Sequence, residues 1–206
     1  KMNRMARQLA DAAKAINPEL LIYCNGIDYE AQDDIGTYLE FECLPTGGWG
    51  YEALPMGARY LRTLGKPVLN MSGRFHKSWG DFGGIRTEPS LEYDCVYGMA
   101  NAMRTTIGDH FHPRGDINQP VGDLYKRLYD RLQQYEPWLE DATAEVDTAV
   151  VWQAPYPGYK FMSPSRRQYW DKQYNAIKGA TRLLCELKWQ FDIVTDFCDW
   201  DKYELL

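Results

Sequence analysis

The chain has 206 residues, of which 45% are hydrophobic and 25% charged, with a formal net charge of -6; this balance fits a globular protein of one or two domains and excludes a disordered one. An acidic chain without a basic stripe has nothing to offset phosphate charge, so nucleic acid and anionic membrane are excluded as partners. No apolar run reaches the roughly 18 residues that a membrane-spanning helix needs.

In chain order, Met5, Leu9, Ala12, Ala13 and Ile16 recur at helical spacing over residues 3–16 and stop at Asn17-Pro18. Leu20 to Cys24 then reads as a buried strand. Thr37 to Cys43 reads as the next strand, followed by a Pro/Gly-rich loop, Leu44 to Gly50, and a helix from Tyr51 to Leu64 with Gly65 as its stop. A strand from Lys66 to Arg74 runs into the loop GRFHKSWGDFGG, Gly73 to Gly84. Beyond it the pattern predicts a helix from Ser90 to Arg104, a strand from Thr105 to Phe111 and a helix from Val121 to Trp138.

Strand, loop and helix thus repeat four times. Strict alternation implies parallel strands joined by helical crossovers, hence an α/β fold. The loops after the strands are long, while those before them are terse, such as Gly65-Lys66. That asymmetry is characteristic of a (β/α) barrel, with its site at the C-terminal ends of the strands, and four units are half of eight. Glu140 to Asp147 turns acidic and small and reads as a boundary. A strand Thr148 to Trp152, a loop QAPYPGYKFMSPS, a helix Ser165 to Trp189 begun by Ser163-Pro164, and a strand Phe191 to Thr195 then give the opening β-α-β of a doubly wound domain.

Alternation along Tyr38 to Glu42 puts Glu40 and Glu42 on one face, directed into the barrel, with Leu39 and Phe41 toward the helices. Two carboxylates there are costly unless they have partners or work to do, and Glu42 lies nearer the mouth. On the next strand Asn70, Ser72 and Arg74 share a face, which sets Arg74 beside Glu42. His110 and His112 share a face with Asp109 opposite, and the histidines, His76, His110 and His112, all fall at strand ends. They read as donors to hydroxyls, as structural groups, or as a metal site completed by Asp109 or Asp81. No spacing is diagnostic of a metal, and neither phosphate-binding glycine pattern occurs, so no metal or other cofactor is expected.

Aromatics make up 14% of the chain, and Trp49 and Trp79 offer flat faces for sugar rings. The five cysteines lack a C-x-x-C pair, which favours reduced thiols and a cytoplasmic location, with an upstream export signal left open. Carboxylates, tryptophans and hydroxyl-binding groups at a barrel mouth are the outfit of a glycosidase. Glu40 and Glu42 lie only about 6.6 Å apart along one strand. Barrel enzymes draw their catalytic groups from different strands, so a second carboxylate is expected elsewhere.

Three stretches, LEFECLPTGGWGY (39–51), GKPVLNMSGRFHKSWGDFGG (65–84) and TTIGDHFHPRGDI (105–117), resemble a group of bacterial glycoside hydrolases. These are barrel proteins distantly related to β-galactosidases and α-L-fucosidases, with a following β-galactosidase trimerisation domain of flavodoxin-like fold. The resemblance implies the C-terminal half of a (β/α)8 barrel over 1–140, a linker over 141–147 and the beginning of the flavodoxin-like domain over 148–206. It implies hydrolysis of glycosidic bonds in oligosaccharides without a metal, by a homo-oligomer, a trimer among the options. The family's nucleophile is a glutamate on a late barrel strand. Val68 to Arg74, the seventh by this count, has none, so Glu42 stands in, with Glu40 behind it. Arg74, His76, Trp79, Asp81, Asp109, His110 and Trp49 would line the sugar site. The family's acid/base belongs to the fourth strand, so the chain alone is expected to be inactive. Two other readings stay open: a metal-dependent hydrolase using His76, His110 and His112, and a non-catalytic module for carbohydrate binding or assembly. Open sheet edges lead to an expectation of self-association.

Overall fold

Small residues decide how the first helix packs. In the computed structural model, which describes residues 2–153 and 163–206, α1 (Met2–Ile16) buries Ala6 and Ala10 against Ile35, with Ile22, Cys24 and Ile27 alongside. The larger apolar residues expected on its inner face, Met5, Leu9 and Ile16, are exposed instead. Alanine lets the helix approach closely, and the long side chains fall outside that narrow contact.

Leu20 to Cys24, expected as a strand, forms no ladder. Thr37 N donates to Ile22 O at 2.8 Å and Ile22 N to Thr37 Oγ1 at 2.7 Å, so the threonine side chain takes a strand's place. The expected later strands are present as β1 (Leu39–Glu42), β2 (Val68–Gly73) and β3 (Met103–Gly108), hydrogen-bonded in the order β1-β2-β3. Leu39 N donates to Pro67 O and Cys43 N to Met71 O, both at 2.9 Å, and this equal stepping marks a parallel pair.

Helix α2 (Ala53–Leu61) ends in a 3-10 turn, Arg62–Leu64, and stops at Gly65 with φ 70, a left-handed conformation natural to glycine. Helix α3 (Glu88–Met99) stops short of the expected Arg104, because the chain reverses through Asn101 and Ala102, the latter at φ 64. The helix expected from Val121 to Trp138 is two pieces, α4 (Gln119–Leu132) and α5 (Glu136–Leu139), and the second restarts with Pro137 in its first turn.

Contacts fall into two units: Lys1–Glu40 with Arg59–Val68 and Glu145–Leu206, and Phe41–Ala58 with Leu69–Ala144. In the second, Phe41 lies against Gly57 of α2, where a β-carbon would overlap its ring. Ile107 of β3 joins Leu91, Leu124 and Leu128 in a core shared with α3 and α4. The polar residues of β2 do not face a barrel interior as expected. Asn70 Nδ2 donates to Asp94 O at 2.9 Å and Ser72 Oγ to Asp94 Oδ2 at 2.5 Å, so both lie beneath α3.

In the first unit, β4 (Ala149–Val151) and β5 (Asp192–Val194) pair in parallel, Ala149 opposite Asp192, with α6 (Pro164–Glu186) between them in sequence. Thr148 O and Trp152 N bond to the β5 side, whereas Ala149 N, one residue out of step, donates to Leu205 O at 2.8 Å. Leu205 therefore lies on the other edge of β4, also parallel. The loop expected from Gln153 to Ser165 falls for the most part, at 154–162, outside the described residues. The fold is mixed α/β with parallel sheets, and among the described residues no helix is long and apolar enough to cross a membrane.

Candidate active site at the strand ends

Glu42 closes β1 and is half-buried. Its Oε1 accepts a hydrogen bond from Trp79 Nε1 at 2.6 Å, a short N–H to carboxylate contact. Trp79 belongs to the loop after β2. Its ring is 4.9 Å from that of the buried Phe75 and 6.0 Å from that of His110, and it covers Gly108 so closely that a β-carbon there would overlap it. Glycine at the end of β3 thus admits the indole, and the indole meets the carboxylate.

The same loop is held by its own groups and by Arg74. Asp81 Oδ2 accepts from Lys77 N at 3.1 Å, closing a turn. Arg74 donates through NH1 to Gly84 O at 2.6 Å and through NH2 to Phe82 O at 2.8 Å, while Nε bonds to Asp109 Oδ1. The carboxylate paired with Arg74 is therefore Asp109, two strands away from the expected Glu42. Asp109 also accepts from His110 N at 2.6 Å and from the Tyr125 hydroxyl at 2.9 Å. Burial, and then this bond to a carboxylate, push the Tyr125 phenol well above the ordinary tyrosine range.

The other residues expected here scatter around this core. His110 stacks on Phe82 at 14° with ring centroids 5.6 Å apart, and its Nδ1 is enclosed with no hydrogen-bond partner. His76 and Asp81 line an open cleft of ≈ 630 Å³ with Lys77, Ser78, Gly80, Gly84 and Ile85. Trp49 is exposed between Gly48 and Gly50, both at positive φ. Glu40 is buried deeper in β1. His112 is exposed, its Nδ1 accepting from Arg114 N at 3.3 Å and lying 3.6 Å from Asp116. The three imidazoles do not converge, and no group of three or more His, Cys, Asp or Glu among the described residues is spaced to hold a metal ion.

Sequence reasoning passed over Tyr125, Arg86 and Asp94. Arg86 NH1 donates to Asp94 Oδ2 at 2.6 Å and to Ser72 Oγ at 2.8 Å, buried where β2 meets α3. Burial pushes the Asp94 carboxyl up, against the pull of Arg86, and pushes the neighbouring Cys43 and Cys95 thiols up to about 12. A signal existed: Asp94 falls three residues after Leu91 on the inner stripe of α3, where a carboxylate needs a cation.

No protein-family model matches the chain, and no curated protein matches it. Solved structures do. Alpha-L-fucosidase isoenzyme 2 from Paenibacillus thiaminolyticus superposes with a TM-score of 0.82 at 30% sequence identity, covering 98% of this chain and 31% of that chain. The chain resembles part of a glycoside hydrolase. The beta-galactosidase from Rahnella sp. R3 superposes with a TM-score of 0.68 at 16% identity, covering 99% of this chain and 34% of that chain, and at that identity shows the fold alone. This chain spans about a third of the length of both structures. The resemblance to fucosidase- and galactosidase-like proteins read from its three motifs holds along nearly its whole length.

Proposed function

We propose that this chain forms part of the active site of a glycoside hydrolase acting on O-glycosidic bonds in oligosaccharides, in the β-galactosidase or α-L-fucosidase manner. The observation that carries this reading is the 2.6 Å bond from Trp79 Nε1 to Glu42 Oε1. It seats a carboxylate at a strand end against an aromatic ring, and a sugar needs both: a flat apolar face to stack on and a negative charge beside its anomeric carbon. In this reading Glu42 is the nucleophile or the stabilising carboxylate of a retaining-type reaction. The indole holds Oε1, and Oε2 meets the oxocarbenium-like centre as charge develops. His76, Asp81, His110 and Trp49 line the sugar site, while Arg74 and Asp109 hold the loop. The second carboxylate, the acid/base, comes from outside these strands, so the chain by itself is inactive.

For the architecture, the reading is the C-terminal half of a (β/α)8 barrel over 1–140, a linker over 141–147 and the beginning of a flavodoxin-like, trimerisation-type domain over 148–206. The parallel order β5, β4, Leu205 supports the doubly wound part, because it places the first strand between the second and the next. The five free cysteines support a reducing, cytoplasmic setting.

The test is Glu42→Gln, assayed on aryl glycosides in the whole protein. The expected outcome is a fall in kcat of at least about 100-fold with the fold intact. Unchanged turnover would remove Glu42 from the chemistry and overturn the proposal.

A further inference from the structure

We propose that Tyr125 and Asp109 are positioning residues for the Trp79–Glu42 pair and act on it through Arg74; the proposal rests on reading Glu42 as the carboxylate of the site. The contacts form one continuous path. Leu124 and Leu128 of α4 are buried against Leu91, which gives the neighbouring Tyr125 hydroxyl a fixed place from which to donate to Asp109 Oδ2 at 2.9 Å. Asp109 is also held by its bond from His110 N, so its Oδ1 presents a fixed acceptor to Arg74 Nε. A guanidinium is planar, and fixing Nε fixes the directions of NH1 and NH2. Those two nitrogens hold the carbonyls of Gly84 and Phe82, at the far end of the loop that carries Trp79. At the near end, Phe75 is buried and packs on the Trp79 ring. With both ends held, the indole N–H is aimed at Glu42 before substrate arrives, and a carboxylate held in advance is worth more to catalysis than one that must be recruited.

The experiment reads the Trp79 indole N–H by NMR in this chain, with the signal assigned by its loss in Trp79→Phe and its displacement in Glu42→Gln. Tyr125→Phe and Asp109→Asn are each expected to shift that signal toward the free indole position. Its exchange with solvent should rise about tenfold, as for a locally loosened loop. The signals of the remaining tryptophans, seven in all less this one, should stay in place. An unmoved Trp79 signal in Tyr125→Phe overturns the proposal, as does a uniform shift of every indole. Tyr125→Phe keeps the ring and removes one hydroxyl, so it decides alone if Asp109→Asn does not fold. In the whole protein, kcat for an aryl glycoside should fall about tenfold with KM within about twofold, the pattern of a misplaced reacting group. The indole readout needs no turnover. Intact activity in Glu42→Gln would therefore sink the glycosidase reading and leave the brace to be judged by NMR.

Discussion

Two arginine–carboxylate pairs lie in the same unit, at opposite depths. Arg86 and Asp94 each expose 1% of their side chains, and Arg86 also bonds Ser72 Oγ at 2.8 Å and Ser90 Oγ at 2.7 Å. Arg74 and Asp109 expose 9% and 20%, and Arg74 directs its remaining bonds to the carbonyls of a loop. The deep pair joins β2 to α3 and has no route to a ligand. The shallow pair joins a strand end to the loop that bears Trp79, so its geometry can be felt at Glu42. Charge chemistry that is nearly the same fixes a layer in one place and aims a side chain in the other, and depth makes the difference.

The deep pair should be the more costly of the two to disrupt. Arg86→Ala leaves Asp94 buried without its cation and should cost about 3–5 kcal/mol of unfolding free energy in urea, with no selective movement of the Trp79 indole. The double change Arg86→Met with Asp94→Leu removes both charges and should cost much less than the single change, because no uncompensated charge remains. Equal losses for the single and double variants would mean that packing rather than pairing holds the two layers together.

How far these pairs were legible in the sequence differs in the same way. The β2 strand and the Gly65 stop of the helix before it follow from local pattern, since glycine at φ 70 and the alternation of Val68 to Gly73 are properties of neighbouring residues. Alternation also shows that Asn70 and Ser72 share a face. It does not show which face meets a helix, and here the polar one does, because Asp94 on α3 supplies its partner. In α1 the spacing correctly predicts a helix, while the choice between Ala6 and Leu9 as the buried stripe depends on how closely the neighbour approaches. Leu20 to Cys24 has strand composition, yet a strand needs a ladder, and Thr37 satisfies Ile22 with a side chain instead. Glu42 is recognisable as a strand-end carboxylate, but its partner Trp79 is 37 positions away and reaches it only because Gly108, on a third strand, leaves room. No local pattern encodes such a meeting of three strands.

The shallow pair has a signature in pH. At neutral pH the Tyr125 phenol is protonated in both the folded and the unfolded chain. Burial and Asp109 raise it in the fold, so above about pH 10 the unfolded chain ionises first and stability is lost as pH rises toward the folded value. Solvent at the strand end screens part of this. Wild type is therefore expected to lose about 1 kcal/mol relative to Tyr125→Phe between pH 9 and pH 11, the coupling of one partly exposed group. Parallel stability curves for the two proteins over that range would mean that the hydroxyl to Asp109 contact is not made in solution.

At the surface the same chemistry should nearly vanish. Glu88, in the first turn of α3, bonds Arg127 at 3.0 Å and also Arg131, and Arg131 reaches Glu92 at 3.0 Å, with the arginines 55% and 42% exposed. Water screens these pairs, and ordering long side chains offsets part of the attraction, so Glu88→Gln should cost about 0.5 kcal/mol, including the loss of a negative charge at a helix start. That difference should fade in about 1 M salt, where the screening length is about 3 Å. The Arg86→Ala cost should persist there, because salt does not enter a site that water cannot reach. If both costs fell together with salt, the deep pair would be behaving as a solvated one, and depth could no longer explain why one arginine holds a layer and the other a loop.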